Sequence, residues 1–160
     1  MRLFAGWQLR DLGIRLPGSS REFILVLGLW VVFIPVVWLI SDLPSFQHTY
    51  PQVPAVADSA TLFWAHHGHH LLYWFAWKFF FRGLLLFGFE RYIGSTAVLL
   101  STFPFVVMHY GKPPLEMLSA IAAGFILCGI ALRSRSILPG VLLHSLVALS
   151  MEFANSHWWR

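Results

Sequence analysis

Two cations, Lys78 and Arg82, stand four residues apart inside the apolar run "FAWKFFFRGLLLFGFER", residues 75–91. Four residues make about one helical turn, so a helix would present both side chains on the same face. Ionisable groups at membrane depth are energetically costly, and they commonly mark a pathway, a relay or a binding site. We therefore expect this pair to form the centre of a functional site and to require a partner in the bundle.

The polar side chains available as partners at this depth are His109, His144, Glu116 and Glu152. The two glutamates lie near the outer ends of predicted spans and could act as counter-ions, because a buried charge needs a partner or loses its charge. Either glutamate could also serve as a base that activates water. The two histidines could hydrogen-bond between helices or ligate a metal as a pair.

A different scheme makes Lys78 itself the base. A neutral amine can accept the proton of a nucleophile, and Ser101 or Ser145 could be that nucleophile. Nothing in the spacing selects between the lysine and the glutamate schemes.

A histidine cluster, "HHGHH" at residues 66–70, begins the same apolar segment. His66 and His70 are spaced i,i+4, and His67 and His70 are spaced i,i+3, so either pair could share a helix face. Such a pair could ligate a metal, or one histidine could hold a porphyrin-type cofactor at a site of His66 and His70. No third ligand at a fixed spacing is evident, so no metal is predicted and the cofactor is unknown. The favoured interpretation is a wet interfacial cluster.

The composition indicates a membrane protein with several spans. Hydrophobic residues make up 58% of the 160 residues and charged residues 11%, against about 25% charged in soluble domains. The length fits a single membrane domain, residues 1–160. The single cysteine, Cys128, excludes an intrachain disulfide and a zinc ribbon. The arginines are scattered rather than clustered in a stripe, so no nucleic-acid partner is predicted.

The apolar runs predict an all-α fold with about five transmembrane helices and an N-terminal helix lying at the cytoplasmic surface within residues 1–22. The predicted spans cover residues 23–40, 63–89, 94–108, 115–132 and 137–153. A proline-rich loop is predicted between the first two spans, at residues 42–60.

The placement of basic residues predicts the orientation. With the N-terminus inside, the outer side holds only Lys112 and Arg160, and the inner side holds Arg2, Arg10, Arg15, Arg21, Arg91, Arg133 and Arg135. Basic residues accumulate on the cytoplasmic side of membrane proteins, so a cytoplasmic N-terminus is predicted.

Three short motifs resemble those of the CPBP family, the group of intramembrane glutamate proteases that includes CAAX proteases, bacteriocin-processing proteins and Abi proteins. "FFFRG" at residues 79–83 resembles the arginine half of the family's first motif, Glu-Glu-x-x-x-Arg. "FVVMH" at 105–109 matches the second motif, Phe-x-x-x-His, and "HSLVA" at 144–148 matches the histidine of the third, His-x-x-x-Asn. The resemblance covers roughly residues 45–152, and "HYGKPPLE" at 109–116 resembles a bacterial subgroup.

The chain departs from the family pattern where the base should be. The two glutamate positions hold Trp77 and Lys78, and the asparagine position holds Ala148. In the family the glutamates are thought to activate water while the histidines support the transition state. An ammonium group accepts no proton, so the resemblance implies that Lys78, Arg82, His109 and His144 occupy the catalytic positions of an impaired enzyme.

The resemblance implies a multi-pass protein of the bacterial cytoplasmic membrane. The preferred interpretation is a pseudoenzyme that serves as a binding or structural subunit of a membrane complex. Its partners would be membrane lipid, other membrane-protein subunits, or a transmembrane or lipidated peptide. The alternatives are an active intramembrane endopeptidase with a substitute base, and a histidine-ligated metal- or pigment-binding subunit.

Overall fold

The computed structural model describes residues 6–159, so the predicted topology charges Arg2 and Arg160 lie outside the described residues. Seven α-helices follow a 3₁₀ turn at Leu9–Leu12. They are α1 (Arg21–Ser41), α2 (Pro44–Thr49), α3 (Ala60–Lys78), α4 (Gly88–Ile93), α5 (Thr96–Val107), α6 (Pro114–Ser134) and α7 (Leu138–Ala154). A π-helical segment, Phe79–Phe87, joins α3 to α4 without a break, and a second 3₁₀ turn lies at Pro54–Val56.

The all-α membrane fold is confirmed, and the described residues form no strand. Three helical stretches among residues 6–159 are long and apolar enough to cross a membrane: Arg21–Ser41, Ala60–Ile93 and Pro114–Ser134. Thr96–Val107 and Leu138–Ala154 are apolar but shorter. These five stretches coincide with the five predicted spans to within a few residues at each end.

The N-terminal segment is less helical than predicted. Among its described residues only the 3₁₀ turn Leu9–Leu12 is helical, because Gly13 adopts a left-handed backbone with φ of 77° and Pro17 follows. The segment docks on the turn between α6 and α7, where the Ile137 amide donates to the Gly13 carbonyl at 3.0 Å. A Cβ at Gly13 would lie 2.4 Å from a ring atom of Phe87, so glycine permits the close approach.

The predicted loop at residues 42–60 holds α2 and the second 3₁₀ turn, each begun by a proline at its first position. Proline suits this position because the first amide of a helix has no intrahelical acceptor. The loop ends at Ser59, whose side chain accepts a hydrogen bond from the Leu62 amide and caps α3.

The centre of the bundle is an apolar cluster contributed by α1, the π-helical segment, α5, α6 and α7. Its buried members include Val26, Phe81, Phe105, Leu127 and Leu143. Helix α1 packs mainly against α7, and α5 packs mainly against α6 and the π-helical segment. This arrangement places the π-helical segment beside α5.

Candidate functional site

The junction between α3 and the π-helical segment turns both predicted cations into the bundle. Lys78 is the last residue of α3 and Arg82 lies in the π-helical segment. Each side chain is only 1% exposed, so Arg82 does not extend to the bundle surface. The wider winding of π-helices is frequent at functional sites, and here it begins directly after Lys78 and includes Arg82.

Phe105 is the aromatic platform that the two cations share. The Lys78 Nζ atom lies 4.9 Å from the centre of the Phe105 ring, and the Arg82 Cζ atom lies 4.5 Å from it. The negative face of an aromatic ring attracts a cation, by about 2 kcal/mol or more when water is excluded. Phe105 therefore offsets part of the cost of burying two like charges together.

The guanidinium of Arg82 is only partly hydrogen-bonded. Its Nη2 atom donates to the carbonyl oxygen of Gly124 at 3.2 Å. The Nε and Nη1 atoms are buried without a hydrogen-bond partner in the part of the chain that the structure describes. Buried donors without an acceptor cost about 1–3 kcal/mol each, so the site leaves two donors for an acceptor from elsewhere.

Both predicted histidines lie next to the same ring. The ring centre of His109 lies 4.7 Å from that of Phe105, and the ring centre of His144 lies 6.3 Å from it. His109 Nδ1 lies 2.8 Å from the Phe105 carbonyl oxygen, which can only accept, so Nδ1 carries the proton. The Nε2 atom of His109 is then left for another partner. The structure thus brings Lys78, Arg82, His109 and His144 together around Phe105.

The possible pairing of the glutamates with the cations is not seen among the described residues. Both carboxylate oxygens of Glu116 accept from the Tyr50 hydroxyl at 2.8 Å. Glu152 accepts from the Gln52 amide, with its Oε2 atom at 3.2 Å. Neither glutamate forms an ion pair with Lys78 or Arg82 within residues 6–159. The loop that carries α2 supplies their donors instead.

Tyr50 anchors that loop to the bundle. Its hydroxyl donates to Glu116, and the Lys112 ammonium lies 4.9 Å from the centre of its ring. Burial, together with the negative charge of Glu116, raises the pKa of the Tyr50 phenol well above its usual value of about 10. The phenol therefore stays protonated and remains a hydrogen-bond donor.

A contact between an acid and an imidazole lies near the C-terminal end of α7. His67 Nδ1 lies 2.8 Å from the Phe63 carbonyl oxygen, so this nitrogen carries a proton. The other ring nitrogen, Nε2, lies 3.8 Å from the Glu152 carboxylate, and both side chains are buried. This separation is longer than a hydrogen bond, so the two groups form a close polar contact.

The cofactor candidates His66 and His70 are adjacent and half-buried, with ring centres 4.6 Å apart. Within residues 6–159 no group of three or more histidine, cysteine or acidic side chains is placed to hold a metal ion. The two rings are tilted by 41° to each other, and their i,i+4 spacing on α3 places them side by side.

The two candidate nucleophiles differ in their surroundings. The Ser101 hydroxyl donates to the Phe81 carbonyl oxygen at 2.8 Å and so ties α5 to the π-helical segment. The Ser145 hydroxyl is buried and has no hydrogen-bond partner among the described residues.

Sequence reasoning missed Phe105, Gly124, Tyr50 and the contact of His67 with Glu152. Phe105 carried a signal, since it is the first residue of the Phe-x-x-x-His motif. No feature of the sequence indicated the role of Gly124, because that role depends on a backbone carbonyl. The Tyr50–Glu116 bond joins residues 66 positions apart, and no local pattern indicates such a pairing.

Residues 78–150 match the model of the family described as type II CAAX prenyl endopeptidase Rce1-like. This match supports the resemblance of the chain to the CPBP family. The match covers a little under half of the chain, from Lys78 itself to a point beyond His144. No curated protein and no solved structure matches the chain.

Proposed function

We propose that this protein is a CPBP-like but non-proteolytic subunit of a membrane complex and that its basic site binds a carboxylate carried by a partner. The partner would be another membrane protein or a transmembrane or lipidated peptide. The observation that carries the proposal is the burial of Lys78 and Arg82 on Phe105 without an acidic side chain beside them in residues 6–159.

The chemistry of the site supports binding over proteolysis. Lys78 stands where the family resemblance places the second glutamate, and an ammonium group cannot take a proton from water. Two cations in one buried site attract an anion, and the Nε and Nη1 donors of Arg82 are available to its oxygen atoms. A carboxylate on a partner would restore the acid–arginine pairing of the first motif from a second chain.

A charge reversal with a matched control tests this proposal. Complexes would be purified in mild detergent from cells carrying wild type, Lys78→Glu or Lys112→Glu, and co-purifying chains would be quantified by mass spectrometry. We expect a partner to be retained by wild type and Lys112→Glu and lost from Lys78→Glu. Loss from both variants, or from neither, would show that the buried amine does not hold it.

The same preparations test proteolysis directly. The purified proteins would be reconstituted in liposomes with a set of lipidated and transmembrane peptides, and products would be identified by mass spectrometry. We expect no cleavage by wild type or by Lys78→Met. Cleavage by wild type that Lys78→Met abolishes would make Lys78 a catalytic base and overturn the proposed function.

A second candidate, an endopeptidase with a substitute base, is favoured by the buried contact between His67 and Glu152. Glu152→Gln would abolish its hydrolysis, whereas Glu90→Gln, a matched change near the opposite end of the bundle, would leave hydrolysis intact. An absorbance scan and metal analysis of the purified protein would test the pigment and metal alternative at His66 and His70.

We also propose that the protein lies in the bacterial cytoplasmic membrane with its N-terminus in the cytoplasm. Contacts at one end of the bundle support this orientation. Arg133 pairs with Glu22 at the start of α1, and Arg135 pairs with Glu90 in α4. Basic residues gathered at one end are typical of the cytoplasmic side. We call this end, which carries the N-terminal segment and the turn between α6 and α7, the N-terminal face.

A further inference from the structure

A cavity of about 330 Å³ lies at the N-terminal face and shares no lining residue with the buried basic site. Its lining comprises Arg10, Asp11, Gly13, Arg15, Phe87 and Arg135. A volume near 300 Å³ is at the lower end of the range for small-molecule sites. The lining has a net positive charge, because it contains three guanidinium groups and one carboxylate.

The acids near this cavity are already engaged. The Asp11 carboxylate accepts from the Gln8 amide at 2.8 Å and caps the 3₁₀ turn. The Glu90 carboxylate accepts from Arg135 Nη1 at 2.6 Å. Arg10 and Arg15 form no ion pair with residues 6–159. Two guanidinium groups are therefore available to an anion.

The backbone that carries these two arginines is fixed in place. The Gly13 carbonyl accepts from the Ile137 amide, and the Arg15 carbonyl accepts from the Ser136 hydroxyl at 2.5 Å. Arg135 has a left-handed backbone, with φ of 52°, and its guanidinium lies 4.9 Å from the centre of the Phe87 ring. The three arginines thus line one cavity because α4, the N-terminal segment and the turn between α6 and α7 are bonded to each other.

The position of the cavity indicates that its ligand would lie at the level of the lipid headgroups. It lies where spanning helices end, and Arg91 stacks 3.9 Å from the centre of the Trp7 ring on the same face. Tryptophan is enriched at the level of the lipid headgroups. Arginine binds phosphate through several donors at once.

We propose that this cavity is a binding site for a phosphate-bearing anion, presented either by an acidic phospholipid headgroup or by a soluble phosphate compound. The site is independent of the proposed function. Arg10 and Arg15 supply the main contacts to the phosphate. Arg135, which Glu90 and Phe87 hold in place, also lines the cavity.

The test compares two double variants of equal charge. Arg10→Gln/Arg15→Gln removes the two unpaired arginines of the cavity. Arg21→Gln/Arg133→Gln removes two arginines from the same face that do not line it. Full-length protein would be reconstituted in nanodiscs of phosphatidylcholine with or without phosphatidylglycerol, and retained lipids would be counted by native mass spectrometry.

We expect wild type and the control to retain phosphatidylglycerol over phosphatidylcholine, and the cavity variant to lose about tenfold or more in retention. Binding of inorganic phosphate or glycerol phosphate to delipidated protein in detergent, measured by calorimetry, covers the soluble source. Binding in either assay that only the cavity variant loses supports the site. Equal losses in both variants, or no binding by wild type in either assay, would overturn it. Thermal unfolding of each variant in detergent confirms that it is folded.

Discussion

At the scale of single residues, Phe105 connects the features that define the site. Its ring faces two cations and lies beside two histidines, and its carbonyl orients His109. A leucine in this place would preserve much of the apolar volume but would remove the negative ring face. The cost of burying Lys78 beside Arg82 should therefore depend on this one side chain.

We expect Phe105→Leu to destabilise the protein by about 1–4 kcal/mol more than Phe46→Leu, because it loses two desolvated cation–π contacts. Phe46 is equally well buried but lies in a separate apolar cluster. The measurement is the free energy of unfolding in detergent. A double-mutant cycle with Lys78→Met should give a coupling of about 1 kcal/mol, and zero coupling would contradict the role of the ring.

Tyr50 predicts a dependence of stability on pH. Its pKa is raised in the folded protein, so above pH of about 10 the unfolded phenol loses its proton while the folded one keeps it. The native state then binds more protons than the unfolded state, and the free energy of unfolding falls as the pH rises.

We expect this fall between pH 9 and pH 11 to be smaller in Tyr50→Phe than in wild type. Phenolate absorbance at pH of about 10.5 should be the same for both proteins while they are folded, because Tyr50 contributes none. A loss of phenolate absorbance in Tyr50→Phe would show that Tyr50 ionises in the folded protein. These pH values follow from the ordinary phenol pKa.

At the scale of elements, the approach of α5 to α6 positions the acceptor of Arg82. A Cβ at Gly124 would lie 2.5 Å from the Cγ2 atom of Thr102, so glycine permits this approach. The carbonyl of the same glycine accepts from Arg82. Helix packing and the geometry of the site therefore depend on one position.

We expect Gly124→Ala to cost about 1–3 kcal/mol of stability by forcing α5 and α6 apart. Gly129→Ala, in the same helix, should be neutral or slightly stabilising, because a Cβ there meets no atom within 4 Å. Thermal unfolding in detergent measures both. Equal effects of the two substitutions would show that the contact with Thr102 does not limit the packing.

The elements also show what the sequence could predict. The five apolar helical stretches were predictable because a long run of mostly apolar residues can satisfy its backbone in hydrocarbon only as a helix. The gathering of Lys78, Arg82, His109 and His144 was expected only from the family motifs. The π-helical winding at residues 79–87 could not be anticipated, since its aromatic and leucine residues are equally compatible with an α-helix. The partners of Glu116 and Glu152 come from a loop whose docking is a tertiary event.

At the scale of the whole molecule, the longest helical stretch exceeds the thickness of a bilayer. Ala60–Ile93 contains 34 residues, which at 1.5 Å per residue span about 51 Å. The hydrocarbon core is about 30 Å thick. The stretch must therefore tilt or project, and its histidine-rich beginning would then lie at an interface.

The orientation can be tested by labelling single cysteines. In a Cys128→Ala background, Ser19→Cys would place a thiol on the N-terminal face and Asp58→Cys would place one in the loop before α3. We expect a membrane-impermeant maleimide to label only the second thiol in intact cells and both thiols after permeabilisation. Labelling of Ser19→Cys in intact cells would refute the cytoplasmic N-terminus.

The same long stretch gives the position of Lys78 an electrical consequence. Eighteen of its residues precede Lys78 and fifteen follow. In a membrane that is centred on this stretch, the amine lies near mid-depth, where about half of the transmembrane voltage has dropped. The electrostatic free energy of a unit charge changes by about 2.3 kcal/mol per 100 mV when the charge crosses the whole membrane. A monovalent anion that reaches Lys78 from the outer solution should therefore change its affinity about sevenfold per 100 mV. The fraction of sites occupied by an anion would then change with the membrane potential of the cell.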